Sequence, residues 1–379
     1  MPSPALSEVE SLVSEAFHTT VTIARSEQLA PWSVARCDLA EPPSESSTSA
    51  LVPGSVIVKW LREDPSEFRT DPAQVCTERA ALEFLAELGV DLVPRLVASD
   101  LTTGVLVLED LFPRVPLADQ IRRYGAAGAK TGLVSFARTM GQLHAATAGH
   151  AEIYYARRRT YGPVDPQIER LRFMGQRWTQ TRRRIEGLGV TMPLRAEREL
   201  ASVHAVLAEP GPFLAFSNGD AGSNNFLVDG DDGRLTDFEF AGFRHALTDA
   251  ASLAVPGPMW ITVGDPAATG LEDEYRAALA SGVPEAADDG AFGFAMAASC
   301  HLMALERLGG FDRIDARPAG DSSRVQRVFT LELAASTAER HRCLPHLTGW
   351  VREVARHLRK RWPDADVDPA TYPAYAPRT

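Results

Sequence analysis

A chain of 379 residues can fill two domains or one two-lobed unit with a full core, and 45% hydrophobic with 23% charged residues is an ordinary soluble globular composition. A net charge of −11 argues against a general nucleic-acid binder. No apolar run approaches the ~18–20 residues that cross a bilayer, so no membrane partner is expected, and MPSPALSEVE lacks the basic start and apolar core of a secretory leader.

In chain order, Leu6, Val9, Leu12 and Val13 recur at helical spacing and predict a helix within the first 20 residues. Thr20–Ala24 and Trp32–Cys37 read as strands, with Gln28-Leu29-Ala30-Pro31 between them and a polar loop at Glu41–Ser49. Ser55–Leu61 is a third strand. On a period of two, Lys59 shares a face with Ile57 and Leu61. Only Lys59, Lys130 and Lys360 are lysines among 39 basic residues. A lysine among apolar neighbours in such a chain points to a need for a compact ammonium; the plain alternative is a strand-edge lysine reaching solvent.

Asp71-Pro72 opens a helix that runs to about Leu88 and stops at Gly89. Its apolar stripe of Val75, Ala81, Leu82, Leu85 and Ala86 takes in Glu78, while Glu83 and Glu87 lie toward the other side. A carboxylate on a core-facing stripe is costly unless paired, and Lys59 is the obvious partner; the alternative is a boundary residue reaching water. Gly104–Leu111 is a strand entering a linker. The scattered Cys37, Cys76, Cys300 and Cys343 show no metal-ligand spacing, so free thiols in a cytoplasmic protein are expected.

From Leu117 the pattern turns helical. Gly132–Ala146 carries Phe136, Met140, Leu143 and His144, the last read as a satisfied core histidine. Pro166–Gly187 is strongly basic and read as a solvated face, and Leu194–Leu207 is a further helix. The apolar run Phe213–Phe216 then leads to Asn218-Gly219-Asp220. Asn225 heads a short strand to Val228, the acidic turn Asp229–Gly233 reverses the chain, and Leu235–Phe240 returns with Asp237. Two carboxylates and an amide oxygen are hard-oxygen ligands suited to Mg²⁺, and an Asp five residues ahead of the Asn can face a hydroxyl instead. An acidic stretch spans 265–289, helices follow over 291–307, 325–342 and 347–361, and a proline-rich tail, 363–379, is expected to be poorly ordered.

The pattern D-x-x-x-x-N followed by D-F resembles the catalytic and metal-binding loops of the aminoglycoside phosphotransferase and choline kinase-like family, distant relatives of protein kinases. The resemblance spans roughly Trp32 to Leu253. It implies an α+β, bilobal, protein-kinase-like fold: a nucleotide-binding lobe at 1–112 with an antiparallel sheet and one key helix, a helical lobe at 113–362 with catalytic loop and acceptor site, then the tail. It implies ATP or GTP as donor with Mg²⁺, in a cleft with the hairpin 225–237 on its floor. Asp220 then orients the acceptor hydroxyl and accepts its proton, Asn225 and Asp237 hold the metal, and Lys59, fixed by Glu78, holds the nucleotide phosphates. The Glu109 carbonyl and Leu111 amide are expected to meet the adenine, and Asp249 to brace the catalytic loop.

Three departures stand out. Asn218 replaces the histidine common two residues before the catalytic Asp, Glu239 follows Asp237-Phe238 where protein kinases have Gly, and residues 28–31 contain no glycine-rich flap. The expected acceptor is a small hydroxylated metabolite or antibiotic of aminoglycoside-like or amino-alcohol type. The acidic stretch 265–289 either attracts such a cation or is solubilising surface. Two other readings stay open, a catalytically inactive pseudokinase that binds nucleotide or a partner, and an unrelated helical binding protein; the oligomeric state is left open.

Overall fold

The protein is described by a computed structural model over residues 3–29, 33–40, 52–61, 71–171, 174, 178–255, 266–308 and 311–367. The expectations for Ala30 to Trp32, the loop 41–49, Arg172, Arg177, Asp265 and the tail past Val367 lie outside the described residues. The chain divides into two compact units. The first comprises Met1–Arg114, Glu152–Val164 and Arg234–Ala241, and the second Val115–Ala151, Asp165–Gly233 and Gly242–Thr379.

In the first unit, α1 (Leu6–Phe17) buries Val9 and Val13, one helical turn apart, and ends where His18 turns left-handed at φ 53°. Five strands follow, β1 (Ile23–Gln28), β2 (Val34–Leu39), β3 (Ser55–Trp60), β4 (Leu96–Asp100) and β5 (Val105–Glu109), with α2 (Ala73–Glu87) between β3 and β4. All neighbours are antiparallel and the sheet order is β1-β2-β3-β5-β4. Along β3 the period of two sorts the side chains. Val56 and Val58 join Val9, Val13, Val105 and Val107 in a buried cluster on one face, each contributing about 1.5–3 kcal/mol. Ile57 and Lys59 point to the other face, with Lys59 in register with Val34 and Leu106. Every residue of β4 is half-buried, so it lacks the alternation that marks a strand in sequence.

Asp71 starts α2 as expected, its Oδ1 accepting from the Ala73 amide at 2.8 Å, and Gly89 ends it at φ 69°. After β6 (Val115–Pro116), α3 (Leu117–Gly128) and α4 (Lys130–Thr147) of the second unit, α5 (Ala151–Thr160) belongs to the first unit from Glu152 onward. It binds the flank of α2 opposite Glu78. Arg157 pairs with Glu83 at 3.2 Å and with Glu87, Tyr161 Oη donates to Glu83 at 2.6 Å, and Arg158 Nε donates to Thr77 at 3.2 Å.

The second unit is mainly helical. It contains α6 (Pro166–Leu171), α7 (Trp178–Gly187), α8 (Leu194–Ala208), β7 (Leu214–Ser217), β8 (Phe226–Asp229), β9 (Asp232–Leu235), which passes into the first unit at Arg234, and β10 (Gly242–His245). Then come α9 (Leu247–Ala254), α10 (Pro266–Thr269), α11 (Leu271–Leu279), α12 (Asp289–Arg307), α13 (Phe311–Asp315), α14 (Ser322–Arg340) and α15 (Pro345–Arg361). α4 crosses α11 so closely that a Cβ at Gly141 would meet the Tyr275 carbonyl oxygen at 2.6 Å. α12 packs on α8, α9 and α14, and α14 on α15. Gly230, at φ 61°, turns β8 into β9, and Gly233 leaves room for the Phe226 ring, which a Cβ there would strike at 1.9 Å.

One expected strand is corrected. The return arm of the hairpin ends at Leu235, because Asp237 adopts a left-handed φ of 63° and carries Phe238–Phe240 off the ladder. The strand that does follow, β10, pairs with β7, Gly242 opposite Ser217. The basic stretch contains two helices, α6 and α7, and Arg182 in it is paired with Glu186 at 2.9 Å and with Glu197. Among the described residues no helix is long and apolar enough to cross a membrane. All four cysteines are free.

Candidate active site

The first unit brings Lys59, Glu78 and Asp237 together. Lys59 Nζ lies 2.6 Å from Glu78 Oε2, hydrogen-bonds Asp237 Oδ1, 178 residues further along the chain, and stands 3.8 Å from Glu239 Oε2. Three carboxylates thus surround one ammonium. Burial pushes the Lys59 ammonium down, but the charges of Asp237, Glu78 and Glu239 outweigh it and hold its pKa well above the ordinary lysine value. The Glu78 side chain is 3% exposed. Burial pushes its carboxyl up, Lys59 pulls it down, and the Asp237 charge leaves it above the usual carboxylate value. The second oxygen of Glu78 accepts from the Phe238 amide at 3.4 Å, so α2 also holds the backbone beside Asp237.

Next to this cluster is a narrow recess lined by Ser33, Val34, Lys59, Glu78, Leu106 and Glu239. At the end of β5, Glu109 donates its amide to the Arg95 carbonyl at 2.9 Å, and Leu111 accepts from the Arg114 amide at 3.0 Å. Between them is a residue that sequence reasoning passed over. Asp110 accepts from Arg36 Nε at 2.7 Å, Arg36 Nη2 at 3.1 Å, Ser55 Oγ at 2.6 Å and the Phe112 amide at 3.0 Å. Burial pushes its carboxyl up, and the bonds from Arg36, Ser55 and Phe112 outweigh burial and lower it. Asp110 fixes the linker that contains Leu111. The signal available in sequence was a second carboxylate, next to Glu109, directly after an apolar strand.

Asp220 and Asn225 lie in the second unit. Asp220 is exposed at the end of the loop that leaves β7, and Asn225 is buried. The Asn225 Nδ2 donates to the Asp220 carbonyl at 2.9 Å, and its Oδ1 accepts from Asn224 Nδ2 at 2.8 Å, so this amide ties the two ends of the D-x-x-x-x-N loop together. Asn218 is buried where the histidine was expected, and its Oδ1 accepts from the Asp220 amide at 3.3 Å. Below the loop, Ser217 Oγ accepts from the Gly219 amide at 2.9 Å and donates to Asp249 Oδ1 at 2.8 Å. The other oxygen of Asp249 meets His144 Nε2 at 3.3 Å, and His144 Nδ1 meets Tyr275 Oη at 2.9 Å. His144 is fully buried within this chain of bonds, so the core-histidine reading holds.

The acidic stretch is largely committed to partners within the unit. Glu272 pairs with Arg340 and with His341 at 2.8 Å, Glu274 with Arg138 at 3.0 Å, Asp289 with Arg276 at 2.7 Å, and Asp288 caps α12 through the Ala291 amide at 2.7 Å. It gives little free negative charge for a cationic acceptor.

The family model described as APH, phosphotransferase enzyme family, matches residues 61–289, more than half of the chain. The chain belongs to this phosphotransferase family. Its fold is of the expected α+β class, with a five-stranded antiparallel sheet and a key helix in one unit and helices dominating the other. Solved structures similar to this phosphotransferase include a choline/ethanolamine kinase family protein from Mesorhizobium loti, at 17% identity over 87% of this chain and 93% of that one, with a TM-score of 0.48. Choline kinase LicA from Streptococcus pneumoniae is 15% identical over 87% and 99%, TM-score 0.44. An aminoglycoside phosphotransferase from Alicyclobacillus acidocaldarius is 16% identical over 88% and 93%, TM-score 0.44. A search of curated proteins finds no significant match.

Proposed function

We propose that the protein is a cytoplasmic small-molecule O-phosphotransferase that moves the γ-phosphate of ATP or GTP to a hydroxyl of a metabolite or antibiotic. The observation that carries the reading is the Lys59 cluster, in which residues from β3, α2 and the segment after β9 meet around one buried ammonium. In the reaction the bond between the γ-phosphorus and the bridging oxygen of the nucleotide breaks, the nucleoside diphosphate leaves, and the acceptor oxygen bonds to phosphorus. The acceptor's hydroxyl proton passes to Asp220, whose exposed carboxylate is accessible to it.

The donor groups present fit a divalent cation, since the Asp237 carboxylate and the Asn225 amide oxygen are hard-oxygen ligands of the kind magnesium takes. When bound, that ion supplies positive charge to the transferred phosphoryl group. Lys59 binds the α- and β-phosphates as a compact ammonium, and Glu78 fixes its direction. Asn225 and Ser217 hold the loop that aims Asp220. The backbone of Glu109 and Leu111 receives the base, with Asp110 setting the linker's path. Residues 28–31 offer no glycine backbone for the phosphates, so phosphate binding falls to Lys59 and the metal.

The test is acceptor-dependent ADP or GDP formation across a panel of hydroxylated compounds, with Asp220→Ala and Asp237→Ala as controls, beside a thermal shift with nucleotide and Mg²⁺. Turnover abolished in both variants supports the proposal. Stabilisation by nucleotide without turnover on any acceptor supports the inactive pseudokinase instead, and no response to nucleotide removes both.

A further inference from the structure

We propose that the acceptor carries an anionic group, a carboxylate or a phosphate, and that Arg307 and Arg327 of the second unit bind it. This deepens the phosphotransferase reading above and rests on it for the acceptor's role.

Arg307 ends α12 and Arg327 lies in the second turn of α14, on helices that pack against each other. Both side chains are partly buried, and Arg307 Nη1 and Arg327 Nε are buried atoms with no hydrogen-bond partner. Among the described residues neither guanidinium has an ion-pair partner. Neighbouring arginines on these helices do: Arg324 pairs with Asp364 at 3.0 Å, Arg340 with Glu272, and Arg359 of α15 with Glu332 at 2.8 Å. A chain with a net charge of −11 has carboxylates to spare, yet among the described residues neither of these two guanidiniums has a carboxylate within ion-pair distance. Burying guanidinium without counter-charge is costly, and residues that break a folding rule of this kind cluster where a ligand completes the site.

The electrostatics link the pair to the catalytic loop. Burial and then the Arg327 charge push Arg307 down to about 10, while Cys300, Asp220 and Glu306 pull it up. Burial and the Arg313 charge push Arg327 down to about 10 as well. Asp220 is thus within electrostatic reach of Arg307. A guanidinium presents a planar fork that matches a carboxylate or a phosphate. An anion on Arg307 and Arg327 offsets their mutual repulsion and anchors an acceptor whose hydroxyl faces Asp220. A cationic acceptor meets two guanidiniums that lack a direct ion pair instead.

The experiment has two arms on the full chain. In the first, thermal shift is read without nucleotide for wild type, Arg307→Gln and Arg327→Gln, with D-glycerate and inorganic phosphate as probes and glycerol and choline as controls. We expect glycerate or phosphate to raise the wild-type Tm, glycerol and choline to leave it unchanged, and both variants to lose the shift. The two probes separate a carboxylate site from a phosphate site. No anion shift in wild type, or an equal one in the variants, overturns the proposal. So does a fall of more than about 5 °C in the unliganded Tm of both variants, because removing uncompensated buried cations should leave Tm unchanged or raise it.

In the second arm, acceptor-dependent ADP or GDP formation is compared for hydroxy acids and sugar phosphates, their neutral counterparts, and amino alcohols and aminoglycosides. We expect an anionic acceptor to exceed its neutral counterpart by about tenfold in kcat/KM, with Arg307→Gln erasing the ratio through KM. Preference for a cationic or neutral acceptor overturns the proposal. An anion site in the first arm with no turnover in the second removes the phosphotransferase reading and leaves the site standing.

Discussion

Lys59 in the first unit and Arg307 in the second are both cations withdrawn from water, and the chain treats them in opposite ways. Lys59 is enclosed by three carboxylates and held in one direction. Arg307 and its neighbour Arg327 have buried nitrogen atoms with no partner. A compensated cation has its geometry fixed before any ligand arrives, which suits a residue that must meet phosphates in one orientation. One without a direct ion pair still has free energy to gain from an incoming negative charge. On the two proposals made above, the contrast separates a pre-set donor site from an acceptor site that is completed on binding.

Breaking the Lys59 cluster, or Asp220 of the second unit, gives the largest effects. Asp220→Ala and Asp237→Ala are each expected to lower kcat by about 10³-fold or more, since on the proposed function each removes a group acting at the reacting atoms; steady-state turnover on the best acceptor of the panel checks it. Glu78→Gln leaves Lys59 and Asp237 with altered compensation and is expected to cost about 3 kcal/mol of stability and to raise the nucleotide KM. Urea denaturation and initial-rate kinetics read the two effects separately.

Asp110→Asn probes a second compensated charge of the first unit. Hydrogen bonds to a charged group contribute about 1.5–3 kcal/mol, so a loss of that order is expected at neutral pH. The pKa of Asp110 is lowered from 3.8 in the fold, so its contribution is fully present above 3.8 and is lost as pH falls through the lower folded value. Urea midpoints of wild type and variant should therefore draw together as pH falls below 3.8. Smallest of all, Arg182→Ala removes exposed pairs with Glu186 and Glu197 and is expected to change stability by less than about 1 kcal/mol.

The same contrast explains what the sequence made legible. Lys59 stood out because lysine is rare in the chain and the strand period placed it among apolar residues. Glu78 stood out because a helical stripe gave it no escape to water. Both inferences rest on the cost of an uncompensated charge, which local pattern reveals. Asp110 was missed because its partners Arg36 and Ser55 come from two other strands, and only the sheet register brings them together. The strand drawn through Phe238–Phe240 failed because alternation of apolar residues carries no information about a left-handed residue at Asp237. Arg307 and Arg327 were invisible for a further reason. An arginine without a partner looks in sequence like any of the paired ones, and only the packing of α12 on α14 shows which carboxylates are missing.

The fastening of α2 carries a consequence. Its inner side bonds Lys59, while Thr77, Glu83 and Glu87 bond Arg158, Tyr161 and Arg157 of the 152–164 segment. Swinging the helix outward would rupture bonds on both flanks at once, each net contribution being about 1 kcal/mol. The side of α2 that faces Lys59 and the side that faces the 152–164 segment are therefore tied to one rigid element, so a substitution at Glu83 is felt at Glu78.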